Sequence, residues 1–264
     1  MARIAVGVEY DGSAYAGWQS QPAVPSIQEV TERALGRIAD APVALVCAGR
    51  TDAGVHATGQ VAHFDTQAVR SMRSWVLGAN SELPRDVSLS FAHPVPEHFH
   101  ARYSAEARTY RYRILNRSVR SALHAQRATW VHRPLAVEHM QEAARALVGE
   151  HDFSAFRAAE CQAKSPIRRL ERLAVERHGE WVVIEATANA FLHHMVRNIA
   201  GLLIAVGKGE AAVSYVGEVL AGRDRTRGAA TAPAAGLYLE CVRYPAVFAL
   251  PAPPAGGRFD PDGL

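Results

Sequence analysis

Apolar side chains recur at every second position over residues 3–10, where Ile4, Val6, Val8 and Tyr10 alternate with smaller or polar neighbours, and the same pattern returns over residues 109–115. Patterning with this period commits both stretches to strands. Ser26-Ile27-Gln28-Glu29 fits a capping box, and Ile27, Val30, Leu35 and Ile38 continue at helical spacing, so a helix is predicted to about Ala39. Strands over residues 43–47 and 60–64, a helix around Trp75 and a strand over residues 87–91 follow. Further on come an amphipathic helix over residues 137–147 stopped by Gly149, a hairpin turning at His178-Gly179, an apolar helix over residues 192–206, a shorter helix over residues 215–221 and a strand over residues 237–242. Residues 251–257 are too rich in proline and glycine to be regular. Strands and helices alternate irregularly with hairpins among them. That favours an α+β chain of two related, largely antiparallel-sheet domains, divided as residues 1–105 and 106–264, over a parallel barrel.

A chain of 264 residues is long enough for two ordinary cores, and its 48% hydrophobic and 21% charged composition is that of a soluble globular protein. Gly7, Glu9 and Gly12 interrupt the N-terminus, which leaves neither the apolar core of a signal peptide nor a span of about 20 apolar residues; a cytoplasmic protein is expected, with no membrane partner. Cys47, Cys161 and Cys241 are isolated and odd in number, which excludes a disulfide framework and any C-x-x-C metal knuckle. Each is read as a small buried apolar residue. There is no G-x-x-x-x-G-K-S/T loop, G-x-S-x-G elbow or H-E-x-x-H helix, so nucleotide hydrolysis and zinc chemistry lack support.

The octet Gly49-Arg50-Thr51-Asp52-Ala53-Gly54-Val55-His56 sets a carboxylate two residues from a guanidinium in a glycine-bounded turn between two strand-like runs. If the backbone there is extended, Arg50 and Asp52 share a face. On spacing alone the pair reads equally as a reactive site or as an ion pair that fixes a loop. Arginine is unevenly distributed: residues 102–133 hold eight arginines and one acid, Glu106, a belt that calls for an anionic partner or open solvent. Tyr110 and Tyr112 lie inside it on one strand face, with Arg111 and Arg113 on the other, so the tyrosines serve either as sheet packing or as base-stacking platforms. His193-His194 is a poor metal site, because neighbouring residues on a helix diverge by about 100° and no acid or cysteine joins them at ligand spacing. Arg197, on the same apolar helix, needs a carboxylate partner, for which Asp52 is the natural candidate.

With E-Y-D-G-S at residues 9–13, G-W-Q at 17–19, A-G-R-T-D-A-G-V-H at 48–56, F-H-A-R at 99–102, Y-R-Y at 110–112, N-A-F-L-H-H-M-V-R-N-I at 189–199 and G-L-Y-L at 236–239, the chain resembles the tRNA pseudouridine synthase A family nearly end to end. The resemblance implies two ferredoxin-like α/β domains whose sheets form one continuous, mixed and largely antiparallel surface with the active cleft between them. It also implies a homodimer that holds the anticodon stem-loop of tRNA and isomerises uridines 38, 39 and 40. The reaction breaks the bond from N1 to ribose, turns the base and rejoins it through C5, so it needs a nucleophile and a closed pocket for a flipped nucleotide, but no cofactor and no metal. By resemblance Asp52 is the nucleophile, Arg197 its charge partner, Tyr110 the ring that stacks on the target base, Leu237 an apolar wall of the pocket, and Arg50 the side chain that takes the place of the flipped base. Attack at uracil C6 and at ribose C1′ both remain open. Ser20 departs from the longer or basic side chain that relatives often carry after G-W-Q, which puts RNA contacts of that loop in question. Two other readings compete: a non-catalytic RNA-binding sheet, and a hydrolase using Asp52 and His56 as an acid/base pair, which Gly54 disfavours on a helix.

Overall fold

The structure, a computed structural model, describes residues 1–251, so the irregular tail expected over residues 251–257 lies, Pro251 apart, outside the described residues. The chain forms two compact units, one of Met1–Glu106 together with the strand that returns from Tyr238, the other of Ala107–Leu237.

In the first unit, strand β1 (Ala2–Tyr10) runs antiparallel to β3 (His56–Thr66) on one side and to β4 (Val87–Val95) on the other. The alternation that announced β1 is explained by burial: Ile4, Val6, Val8 and Tyr10 are all buried. Helix α1 (Ile27–Ala39) begins where the Ser26 hydroxyl accepts the Glu29 N–H, as the capping box requires, and ends at Asp40 in the left-handed region. Helix α2 (Met72–Glu82) packs on α1 and β4 and sets Trp75 edge-to-face on Phe64, with ring centroids 5.2 Å apart. Burial of each large apolar side chain here contributes roughly 1.5–3 kcal/mol. The strand expected over residues 43–47 shrinks to β2 (Val46–Cys47), because the Leu45 N–H donates to Glu32 Oε1 at 2.8 Å and is not available to a neighbouring strand. Strand β10 (Leu237–Arg243) lies parallel to the start of β3, with Tyr238 opposite His56.

In the second unit, β5 (Ala107–Asn116) pairs antiparallel with β9 (Trp181–Ala188) and parallel with the short β6 (Thr129–Val131). The hairpin turning at His178-Gly179 joins β9 to β8 (Ile167–His178), and β7 (Gly149–Asp152) adds to β8. Helix α3 (Val137–Ala144) continues as one tighter turn, Arg145–Leu147, and packs on β8 and on α4 (Met195–Gly207); α5 (Tyr215–Gly222) follows. The apolar helix expected from residue 192 begins three residues later. His194 has φ 61°, outside right-handed helical space, so both histidines precede α4 in a turn. The parallel pairs β3–β10 and β5–β6 make the pairing mixed, and the α+β class expected from the patterning is the one found. Among the described residues no helix is long and apolar enough to cross a membrane.

Candidate functional site

The octet is held from three sides within the first unit. At its start, Gln60 on β3 donates from Nε2 to the Gly49 carbonyl at 2.6 Å and accepts the Gly49 N–H at 3.4 Å. Thr51 turns inward, its Oγ1 2.8 Å from the Tyr10 hydroxyl, and its carbonyl accepts the Trp18 N–H at 3.0 Å. Arg50 is exposed and Asp52 half-buried. The Val55 N–H then closes a turn on the Asp52 carbonyl at 3.1 Å.

At the far end His56, buried at the start of β3, stacks on Tyr238 with ring centroids 4.6 Å apart. The Gly12 N–H donates to His56 Nδ1 at 3.1 Å, which requires a lone pair on that nitrogen. Asp11 Oδ1 lies 3.2 Å from the same nitrogen and is an ion-pair partner only if the ring is protonated there. His56 heads a strand and not a helix, which removes the spacing argument for an Asp52/His56 acid/base pair.

The F-H-A-R segment docks on the same sheet. Arg3 pairs with Asp65 at 2.7 Å and donates to the Phe99 carbonyl at 2.8 Å, and the Ala101 N–H donates to His63 Nδ1 at 3.1 Å. Burial, followed by the Arg3 and His100 charges, lowers the pKa of His63 to about 4. Burial likewise pushes the Cys47 thiol up to about 12, which leaves it inert beside the octet. At Cys161 burial also favours the thiol, but N–H groups of His193 and Ala163 and the Arg157 guanidinium outweigh it and bring the pKa below its ordinary value.

Tyr110, Arg197 and Leu237 belong to the second unit. Tyr110 and Tyr112 are both buried on one face of β5, and Tyr110 meets Phe191 edge-to-face with centroids 5.1 Å apart. Arg197, in the first turn of α4, donates from Nε to the Ala232 carbonyl at 2.8 Å and accepts the Ala232 N–H on its own carbonyl at 3.1 Å. Leu237 is buried five residues past that contact. The histidine rings do not diverge as helix neighbours do; their centroids are 4.1 Å apart.

The arginine belt needs correction. Arg111 meets Glu185 at 3.1 Å, Arg117 meets Glu180 at 3.1 Å, and Arg133 meets Glu210 at 2.7 Å, so acids distant in sequence neutralise part of it. Arg111 and Glu185 are directly opposite in the β5–β9 register, a cross-strand pairing that a one-dimensional charge count does not register. Sequence reasoning also missed Gln60, the Tyr10–Thr51 hydroxyl pair and Asn198. The signal available for Gln60 was a polar side chain inside a core strand, which must find a partner.

The family described as tRNA pseudouridine synthase matches residues 6–104 and 143–245, and the chain belongs to that family. Among individual relatives, the chain is 60% identical over 248 residues to tRNA pseudouridine synthase A of Methylococcus capsulatus, covering 94% of this chain and 92% of the relative. The Vibrio cholerae protein of the same name is 55% identical over 262 residues, 99% of each chain, and that of Pseudomonas aeruginosa 53% identical over 260 residues, 98% of this chain and 91% of the relative.

Proposed function

We propose that the protein isomerises uridine to pseudouridine at positions 38, 39 and 40 of the tRNA anticodon stem and loop, with Asp52 as the nucleophile. The observation that carries the reading is the octet itself, which presents a half-buried carboxylate on a turn fastened to β1, β3 and the loop before α1 in a chain belonging to the tRNA pseudouridine synthase family. Arg197 serves as the charge partner of Asp52, the role that the matching family residue implies. Tyr110 stacks on the target base, Leu237 forms an apolar wall, and exposed Arg50 fills the gap left in the RNA by the flipped nucleotide. During turnover the N1–C1′ bond breaks, a C5–C1′ bond forms, C5 loses its hydrogen and N1 gains one, so atoms balance without a cofactor or a metal. The enzyme works in the cytoplasm as a homodimer.

Tritium released from C5-labelled uridine in tRNA measures the reaction directly. Asp52→Asn is expected to bind tRNA like the parent and release none. Undiminished release by the Asn variant removes Asp52 from its role, and binding without release by the parent points instead to a non-catalytic RNA-binding protein.

A further inference from the structure

The segment before β10 lies along α4 as a strap, and its register is fixed at three successive residues. The Ala230 carbonyl sits against Gly201, where an added Cβ would come within 2.1 Å of it. The Thr231 hydroxyl donates to Asn198 Oδ1 at 2.7 Å, and Ala232 makes its two-point contact with Arg197. One turn of helix thus presents a bare backbone, an amide and an arginine to three consecutive strap residues.

Asn198 is 3% exposed, and the orientation of its amide is set by its neighbours. Nδ2 donates to the Phe156 carbonyl at 2.8 Å, while Oδ1 accepts both Thr231 and Arg225 Nη2, the latter at 3.0 Å. A guanidinium has no acceptor, so the amide oxygen must face it. The same Nη2 lies 3.0 Å from Thr231 Oγ1, so Arg225 touches both halves of the strap–helix junction. Arg225 itself is presented on a short turn, Arg225–Arg227, capped by Asp224, whose carboxylate accepts the Thr226 N–H at 2.9 Å and hydroxyl at 2.7 Å. Beyond the junction the strap continues into Pro233, whose carbonyl accepts the Tyr112 hydroxyl at 2.8 Å, and then through a tight turn, Ala234–Gly236, into Leu237. The strap therefore touches Arg197, ends at Leu237 and is tied to β5 two residues from Tyr110.

We propose that Arg225, acting through Asn198 and Thr231, is a positioning residue for isomerisation: it holds the strap in register so that Arg197 and Leu237 keep the settings that catalysis needs. This rests on the role assigned above to Arg197. An arginine in an RNA-modifying protein invites the simpler assignment of a phosphate contact. The geometry argues against that, because the guanidinium is engaged by a buried amide and a hydroxyl, and a displacement of about 1 Å in a catalytic group is enough to cost on the order of 100-fold in rate.

Steady-state kinetics and tRNA binding separate the two. Thr231→Val, which keeps shape and removes the hydroxyl, and Arg225→Lys, which keeps charge and removes the fork, are expected to lower kcat about 10- to 100-fold. KM for tRNA and the salt dependence of binding should stay near those of the parent, and Thr231→Ser should restore activity. In an Arg197→Lys background, Thr231→Val should add less than about twofold, because both changes act on one group. Hydrogen exchange at the Ala232 amide should quicken in both single variants, and it reports strap release independently of activity, including in a variant too unstable to assay. A raised KM with unchanged kcat and a shallower salt slope, unchanged exchange at Ala232, or full additivity with Arg197→Lys overturns the proposal. Parent-like kcat in Arg197→Lys alone identifies a different failure, that of the role given to Arg197; a slow Arg197→Lys beside fast Arg225→Lys and Thr231→Val leaves that role standing and defeats only the positioning claim.

Discussion

The Gln60 side chain and the Gly49 backbone satisfy each other twice, amide to carbonyl at 2.6 Å and N–H to amide oxygen at 3.4 Å, so β3 holds the first residue of the octet by an interaction that mimics a strand partner. Gln60→Leu leaves both Gly49 groups short of a protein partner at a part-buried position. The cost expected is about 1–3 kcal/mol, with a loss of turnover because Arg50 and Asp52 follow directly. Urea melts and tritium release test this; a variant that melts and turns over like the parent would falsify it.

Gly17 has φ +96°, and a Cβ there would lie 2.5 Å from the Thr51 carbonyl oxygen and 2.9 Å from the Asp52 carbonyl carbon. Gly17→Ala therefore combines backbone strain of about 1–3 kcal/mol with displacement of the Asp52 turn. The expected result is a lowered melting temperature and a kcat reduced more than tRNA affinity. Parent-like kcat would show that the loop before α1 does not set the turn.

Stability should depend on pH through His63. Its folded pKa of about 4 lies below the ordinary 6.5, so between those values the unfolded chain binds the proton that the folded protein refuses. Stability is then full above about pH 6.5 and falls as pH drops toward 4, by at most about 1.4 kcal/mol per pH unit from this group. His100, also lowered, by burial and then by Arg3, pulls in the same direction. Unfolding free energies measured across this window should show the slope, and His63→Gln should flatten it; an equal slope in that variant would assign the effect elsewhere.

The pairing of the arginine belt makes a prediction about salt. Arg120 is exposed, whereas Arg111 is bound to Glu185. Arg120→Ala is expected to reduce the slope of log affinity for tRNA against log salt by about one if that residue neutralises a phosphate, and Arg111→Ala to leave it nearly unchanged. The reverse order would mean that Glu185 yields its partner to RNA.

Much of the fold was legible because local signals agreed with the packing that resulted. The alternation over residues 3–10, the Ser26 cap and the hairpin at His178-Gly179 each depend on neighbours close in sequence, and each is present. What escaped depends on distant partners. Residues 43–47 look like a strand, but a glutamate from α1 takes the Leu45 N–H. The histidine pair looks helical, but a left-handed residue at His194 delays α4. Arg225 and Thr231 carry no local signal at all, because their meaning comes from Asn198, 27 and 33 residues away.

Strand β10 lies beside the start of β3 although nearly the whole second unit separates them in the chain, and the Tyr238 ring covers His56 at the end of the octet. During synthesis the ribosome delivers this strand only after residues 67–236. The first unit thus emerges with one edge of β3 bare along the residues that will later meet β10, and stays so while the second unit is made, a period in which such an edge is open to wrong pairing. Completion of the His56 end of the octet is accordingly a late event in the life of the nascent chain. Ribosome-bound intermediates that stop short of Tyr238 carry Asp52 but not the ring that covers His56.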